Sequence, residues 1–504
     1  MPQKDWNHPN VLRAMEKEIQ NFRDFNAFEL VENEGQHAIS SGWVITEKIG
    51  TETGIKARLV VHGNQERNPA RADSPTAKKS SMRLQLTLAA QNRWKIRTAD
   101  VTAAFLQSKL MTREVFVKPV KEADAGGKLW RLLKPMYGLN DSSRLWYLTI
   151  SEALVKLGCT RLKTDHAIFY YRVGNKLNGV ISMHVDDLTL SGNATFDEDI
   201  VKKIFAMFKF GSIHDEETFK LLGWNVSQEY DGITVSQDDY INHKLEFLDI
   251  PTRGRSGSSQ LDEDEITLFR GHVGKMRWLG DQTRMDIAHD LLLMSIVQSN
   301  ATVNDVKTVN KMVQQIKGLP LSIKYNKLED TLVWYLTVFA DASLKNLPPE
   351  KSGSAMGYLI FLSTGFVAGR RNNCCILTWK ATKIKRVVKA THDAEALAVA
   401  DAVEEAIVIK EQILEMMGVS SDMIKIEVFC DSQDAVASFN SSKPTQRGGR
   451  IQIDVARIRE MIEEGVLDNV NFIGTQMQLA DSLTKKGAGK ADLIETVKQG
   501  RFFH

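Results

Sequence analysis

Seven acidic residues stand where a chain could gather carboxylates. Asp186 and Asp187 lie between the strand-like run GVISMHV (179–185) and LTLSG (188–192), and Asp100 closes the short run KIRTAD. Two residues between two β runs read as a hairpin, which would put the Asp pair at its tip. Farther along, Asp341 ends an apolar alternating run and Glu395 lies near the start of a long helical pattern. Asp431 directly follows the strand-like IEVFC, and Asp481 opens the last helical segment. In-line nucleotidyl transfer needs two divalent ions a few Å apart, and Mg2+ prefers clusters of carboxylate oxygens. One Asp at a strand end and a pair at a hairpin tip could supply such a cluster. Four acids on successive elements of one small domain would suit two-metal hydrolysis of a phosphodiester. Each acid also has a plainer account: a chain with 63 acidic residues in 504 contains about eight adjacent acidic pairs by chance. Asp431 before SQDAV reads as an N-cap, and Glu395 and Asp481 as first-turn acids favoured by the helix dipole.

The elements that would hold these acids are of mixed type. Strand-like runs such as VFVKP (115–119) and AIFYYRV (167–173) alternate with helix-like ones such as LRAMEKEIQNF (12–22) and FDEDIVKKIFAMF (196–208), and VTAAFLQSKL after Asp100 has helical character. The densest punctuation is IPTRGRSGSSQLDEDE (250–265), an exposed connection. Segments 266–280, 286–298 and 303–317 then carry apolar residues at helical spacing and predict a helical connector. A second β-rich unit opens with TLVWYLTVFADAS (331–343) and AMGYLIFLS (355–363), followed by a long helix near 392–417, the strand IEVFC, VNFI (470–473) and a terminal helix. The expected fold is therefore α+β or α/β and multidomain, divided at 1–249, 250–330 and 331–504.

Composition narrows the function classes. With 43% hydrophobic and 25% charged residues and a formal net charge of +2, the 504 residues are ordinary globular material, enough for two to four units with cores of their own. Cys159, Cys374, Cys375 and Cys430 show no metal-ligand spacing, which excludes a zinc site or secreted disulfide framework of the usual kind and favours a reducing compartment. No apolar leader or spanning stretch is evident, so an intracellular protein without membrane partners is expected. Two basic runs, Lys56–Arg83 and Arg370–Lys389, could meet phosphates or could be solvated surface.

Read together, IKARLVVHGNQE (55–66), DVTAAFLQSKL (100–110), LWRLLKPMYGLNDSSRLWY (129–147), MHVDDLTLSG (183–192) and FKLLGWNV (219–226) resemble, in order and spacing, the reverse transcriptase of copia-type LTR retrotransposons. GHVGKMRWLGDQTRMDIA (271–288) resembles that family's connector, and FADAS (339–343), HDAEALAVADAVEEA (392–406), VFCDSQDAV (428–436) and QLADSLTKK (478–486) its ribonuclease H. The resemblance implies a right-hand polymerase of fingers, palm and thumb, then a connector and a ribonuclease H-like domain. It implies Asp100, Asp186 and Asp187 as palm metal ligands and Asp341, Glu395, Asp431 and Asp481 as nuclease ligands, with two Mg2+ per site and Mn2+ as a substitute. It marks Lys56 and Arg58 as finger residues that meet the incoming triphosphate, Phe105 as the aromatic that excludes a 2′-hydroxyl, Tyr137 and Gly138 as neighbours of template and nucleotide, and Leu222, Gly223 and Trp224 as the primer-holding hairpin. By period alone Phe105 is core, Lys56 and Arg58 could be an exposed strand of alternating charge, and Tyr137, Gly138, Leu222, Gly223 and Trp224 could equally be packing.

The implied function is RNA-directed DNA synthesis with degradation of the RNA strand, acting on an RNA template, a DNA or tRNA primer, dNTPs and an RNA–DNA hybrid, in a cytoplasmic particle or the nucleus. The alternative is a decayed or host-retained remnant that binds nucleic acid. Departures from the family pattern are His184 for a Tyr, Asn140, Asp141, Ser142 and Ser143 for Lys-Gln-Ala-Pro, Met285 for Pro, Ser432 for Asn and Gln452 for His. Nothing in the sequence resembles the nucleocapsid, protease or integrase of a full element, so a processed fragment, truncated copy or retained remnant is expected.

Overall fold

The computed structural model describes residues 6–47, 53–123, 125–347, 353–441, 450–488 and 490–503. Two compact units result, one from residues 1–77, 97–172 and 178–214, the other from 78–96, 173–177 and 215–504. These limits differ from 1–249, 250–330 and 331–504: residues 78–96 and 215–249 join the second unit, in which 250–330 and 331–504 are not divided.

The first unit holds two sheets. Strands β1 (Phe28–Val31), β2 (Ala38–Glu47), β3 (Ile55–Val61), β4 (Lys95–Val101), β5 (Phe116–Lys118) and β6 (Leu129–Leu132) come first in the chain. All but β4 form a five-stranded sheet in the order β1-β6-β5-β2-β3. In β3 the alternation buries Ala57, Leu59 and Val61 and leaves Lys56 and Arg58 half-buried on the opposite face. The helix Pro9–Asp24 packs Val11, Ala14, Met15, Ile19 and Phe22 into the core beneath this sheet, at three-to-four spacing, with Pro at its start.

The second sheet adds β7 (Thr160–Arg161), β8 (Ile168–Val173), β9 (Lys176–His184), β10 (Asp187–Gly192) and β11 (Phe210–His214), in the order β11-β4-β10-β9-β8-β7. Leu188 to Gly192 of β10 and Asn178 to Met183 of β9 are buried without alternation, as in strands covered on both faces. Gly179 and Gly192 are cross-strand partners, and a Cβ on either would collide with the ring of the fully buried Phe196. The expected helix after Asp100 is absent: Ala103 adopts φ +47°, and only the 3-10 turn Ala104–Gln107 follows.

In the second unit the helix Lys79–Asn92 is buried from Ser80 through Ala90, on every face. Its Arg83, 2% exposed, gives hydrogen bonds to the carbonyl oxygens of Asp281 (2.9 Å), Gln282 (3.0 Å) and Leu377 (3.3 Å) and stacks 3.8 Å from the ring of Trp379. Strands β12 (Thr218–Leu221), β13 (Trp224–Glu229), β14 (Gly232–Ser236) and β15 (Ile323–Asn326) form an antiparallel sheet. The connector helices are Glu263–Gln282, Ala288–Val297 and Val303–Gly318, close to where periodicity placed them; the first opens on a capping box of Asp262 and Glu265.

The last sheet is mixed, with the order β18-β17-β16-β19-β20. Here β16 (Trp334–Ser343), β17 (Ala355–Ser363) and β18 (Cys374–Lys383) are antiparallel neighbours, while β19 (Ile424–Cys430) and β20 (Asn469–Phe472) run parallel to β16. The helix Thr391–Met417 makes the crossover between β18 and β19 and buries a face rich in Ala, Val and Ile. All four cysteines are free and buried. No helix among the described residues is long and apolar enough to cross a membrane.

Candidate active sites

Three acids meet in the second sheet of the first unit. The β9–β10 register pairs His184 with Asp187, so the turn residues are Val185, at φ +60°, and Asp186. Only Asp186 is therefore at the hairpin tip; Asp187 is the first rung of β10. The Val185 carbonyl accepts from Trp146 Nε1 at 2.8 Å, and the Asp186 carbonyl accepts from Val101 N–H at 3.1 Å, which ties the turn to the end of β4 beside Asp100. Asp100 is exposed, and Asp186 and Asp187 are half-buried. Burial, then the charges of Asp186 and Asp100, raise the Asp187 pKa to about 6, as expected for carboxylates that repel one another in a partly desolvated place. All the donors are carboxylate oxygens, the set a hard divalent cation takes. A side chain at position 211 would crowd Thr102 Oγ1 (2.9 Å) and reach Asp100 Oδ2 (3.4 Å); glycine leaves that flank open.

His184 does not share a face with Asp186 through strand alternation, because the turn intervenes. It is exposed opposite Asp187. Phe105 is 7% exposed, with its ring 4.6 Å from that of Tyr137, and Arg58 lies 5.9 Å from the same Tyr137 ring. Burial, with the Asp186 charge next, pushes the Tyr137 hydroxyl up to about 12. Phe105, Tyr137 and Arg58 thus form a continuous row, and the Coulombic influence of Asp186 and Asp100 extends to Tyr137. Gly138, at φ +99°, packs against the backbone of β3: a Cβ there would collide with the Val61 carbonyl, while Val61 N–H donates to the Tyr137 carbonyl at 2.8 Å. Lys56 and Arg58 lie on one face of this same strand.

The departure at Asp141 has a partner that the sequence did not reveal. Arg113 grips it through Nε (3.0 Å) and Nη2 (2.7 Å) and reaches Glu66 at 2.8 Å, so a buried acid is matched by a fork of donors. Thr283, Arg284 and Asp286 are structural: Arg284, fully buried, pairs with Asp286 at 2.9 and 2.8 Å and gives hydrogen bonds to the Ile316 and Leu319 carbonyls.

In the second unit Leu222 (φ +48°) and Gly223 (φ +87°) make the tight turn of the hairpin between β12 and β13. Trp224 is 2% exposed and belongs to the core, leaving Leu222 and Gly223 as the accessible tip.

The other four acids converge around β16 and β19. Asp341 lies within β16, Asp431 follows β19, Glu395 projects from the helix Thr391–Met417 and Asp481 starts the short helix Asp481–Thr484. Asp341, Glu395 and Asp481 are 0, 2 and 4% exposed. Oxygens of Asp341, Asp431 and Asp481 all lie within 4.8 Å of one another, a closeness that the first three acids do not share among the described residues. Glu395 accepts from Ala342 N–H at 3.1 Å. Burial, then neighbouring acids, raises Glu395 to about 9; Asp341, buried and beside Lys485, Asp481 and Asp431, is raised to about 7. Asp431 is not a helix cap: that task falls to Ser432, whose Oγ accepts from Ala435 N–H at 3.3 Å. Gln452 lies in the first turn of the helix Ile451–Glu463, and residues 442–449 before it are outside the described residues.

Sequence reasoning missed Lys485. Its ammonium sits 2.6 Å from Asp481, 3.2 Å from Asp341 and 3.8 Å from Asp431. Its place four residues after Asp481 was the available signal. Thr484 Oγ1 also donates to Asp341, and Gln478 Nε2 ties the Ala340 and Phe429 carbonyls at 3.0 and 3.3 Å, holding β16 and β19 together beside the acids.

Residues 25–253 match the family model described as reverse transcriptase (RNA-dependent DNA polymerase). Over this segment the chain is similar to reverse transcriptases. Over most of its length the chain is similar to Pol polyproteins of copia-type transposons. It is 26% identical to the retrovirus-related Pol polyprotein from transposon RE1 of Arabidopsis thaliana, over 94% of this chain and 32% of that protein. It is 24% identical to that from transposon TNT 1-94 of Nicotiana tabacum (95% and 37%) and 23% identical to the transposon Ty1-BL Gag-Pol polyprotein of Saccharomyces cerevisiae (85% and 25%). The chain thus spans between a quarter and somewhat over a third of the length of these relatives. Among solved structures, the foamy viral protease-reverse transcriptase dRH in complex with ds DNA shares the fold at a TM-score of 0.54 and 12% identity, covering 93% of this chain and 70% of that one. The matched segment contains the first three acids and the hairpin at Leu222–Gly223.

Proposed function

We propose that the protein is an RNA-directed DNA polymerase fused to a ribonuclease H. The observation that carries this reading is the presence, in one chain similar to reverse transcriptases, of two carboxylate clusters in which burial, with neighbouring acids, opposes ionisation, at Asp187 in one and at Asp341 and Glu395 in the other. Such clusters are suited to divalent cations, which favour the ionised form. Asp100, Asp186 and Asp187 would hold the ions of the polymerase site, and Asp341, Glu395, Asp431 and Asp481 those of the nuclease site. Mg2+ or Mn2+ there supplies charge stabilisation for in-line displacement at phosphorus.

The chain's own residues do the positioning. Lys56 and Arg58, side by side on β3, neutralise the triphosphate of an incoming nucleotide. Phe105, packed on Tyr137, forms a wall beneath its sugar and leaves no space for a 2′-hydroxyl. Leu222 and Gly223 present a tight turn to a primer. In the nuclease, Ala342 N–H and Thr484 Oγ1 orient Glu395 and Asp341. RNA template, primer, dNTPs and hybrid are the corresponding substrates. The test is primer extension on an RNA template with the RNA strand labelled: Asp186→Asn should stop synthesis and spare RNA removal, and Asp431→Asn should do the converse. RNA removal by purified Asp431→Asn protein at the parental rate would refute the nuclease assignment.

A further inference from the structure

The three oxygens nearest Lys485 Nζ, on Asp341, Asp431 and Asp481, belong to the same trio that lies within 4.8 Å in the nuclease cluster. A divalent ion held by that trio would draw on the same carboxylates. Lys485 closes the short helix Asp481–Thr484 and its side chain is 35% exposed, whereas those of Asp341 and Asp481 are 0 and 5% exposed. Its ammonium therefore reaches the acids from the solvent side, on a flexible four-carbon stem that can retreat toward water. Buried carboxylates without a cation are strongly destabilising, and Lys485 supplies that cation inside the chain.

We propose that Lys485 is a built-in counter-cation of the nuclease cluster, which holds the acids together when no divalent ion is bound and must be displaced when one enters. The proposal rests on the reading of this cluster as a metal centre. Two consequences separate it from a merely structural lysine. Removing the charge should weaken the metal-free fold, and the same change should strengthen metal binding, since competition for the carboxylate oxygens disappears. A lysine that only braced the helix would give the first effect without the second.

The test uses the full chain carrying Asp186→Asn and Asp187→Asn, so that binding at the first cluster is suppressed, with Mn2+ titrated and the free ion followed by its electron paramagnetic resonance signal. Lys485→Met should bind Mn2+ at least about tenfold more tightly than the parent, and Lys485→Arg should bind like the parent. Without divalent ions Lys485→Met should melt below the parent, and saturating Mn2+ should close the gap. Lys485→Gln provides the same comparison should the Met variant fold poorly. Equal or weaker Mn2+ affinity in the folded, uncharged variants would overturn the proposal while leaving the metal centre standing. Mn2+ binding that is indifferent to Asp431→Asn would remove the metal centre and the proposal with it.

Discussion

In the first acid cluster Asp100 is exposed at a strand end and Asp186 and Asp187 are half-buried at a hairpin, whereas in the second Asp341, Glu395 and Asp481 are closed off from solvent around a lysine. The side chains are the same carboxylates; the solvent is not. At the open site water screens most of the repulsion, and burial with two neighbouring charges raises Asp187 to about 6. At the closed site deeper burial, with repulsion from neighbouring acids added, raises Asp341 to about 7 and Glu395 to about 9 even beside Lys485. On the proposed reading, burial decides whether a carboxylate cluster can await a metal unaided or needs a cation of its own.

The largest effect should come from removing one ligand at a time. Asp186→Asn is expected to lower DNA synthesis by at least ~10³-fold, as loss of several kcal/mol of charge stabilisation implies, with hybrid cleavage unchanged. Asp431→Asn should invert that pattern in the same assay. A variant that damaged both activities equally would show that the clusters are not independent.

The two activities should also part company with pH. Metal loading needs ionised carboxylates, so synthesis should decline as pH falls through about 6, where Asp187 takes up a proton. Cleavage should decline at a higher pH, because Asp341 protonates near 7 and Glu395 near 9. Raising Mg2+ should move both limits to lower pH. Superimposable profiles at low Mg2+ would erase the distinction between the clusters.

Stability without metal gives a smaller signal. Asp341 has a folded-state pKa raised from its usual value near 4 to about 7. Its neutral form is thus favoured by folding, so its contribution is full below about pH 4 and is lost as pH rises through about 7. In EDTA the melting temperature of the second unit should fall over that window, and Asp341→Asn should flatten the fall. A parental profile in Asp341→Asn would mean that Asp341 is ionised throughout.

Smallest is the effect at Phe105, which borders the open cluster from the core. Phe105→Val should reduce stability by about 1–3 kcal/mol, as other large-to-small core replacements do, and should narrow the preference for dNTPs over rNTPs. An unchanged incorporation ratio in the folded variant would confine Phe105 to packing against Tyr137.

Much of both clusters was legible because the acids stand at ends of periodic segments, where strand and helix patterns stop. The hairpin register was not. Val185, a β-branched residue, takes the left-handed conformation that such side chains rarely adopt, and this moves Asp187 into the strand and His184 opposite it. The helix Lys79–Asn92 was equally opaque. Its Ser80, Arg83 and Thr87 suggest a solvated face, yet all are buried, and the two terminal nitrogens of Arg83 bond to carbonyls some two to three hundred residues away in the chain. Lys485 stayed hidden for a related reason: its spacing announces one partner, Asp481, while Asp341 and Asp431 reach it only through the fold of the last sheet.

The most direct measurement is of the unaltered chain: purified protein, a primed RNA template with its RNA strand labelled, dNTPs and Mg2+, with new DNA and RNA fragments read from the same reaction. The account predicts extended DNA followed by shortening of the RNA within the copied region, both abolished by EDTA. Absence of both products with Mg2+ and with Mn2+, from protein that is folded and binds the primed template, would contradict it.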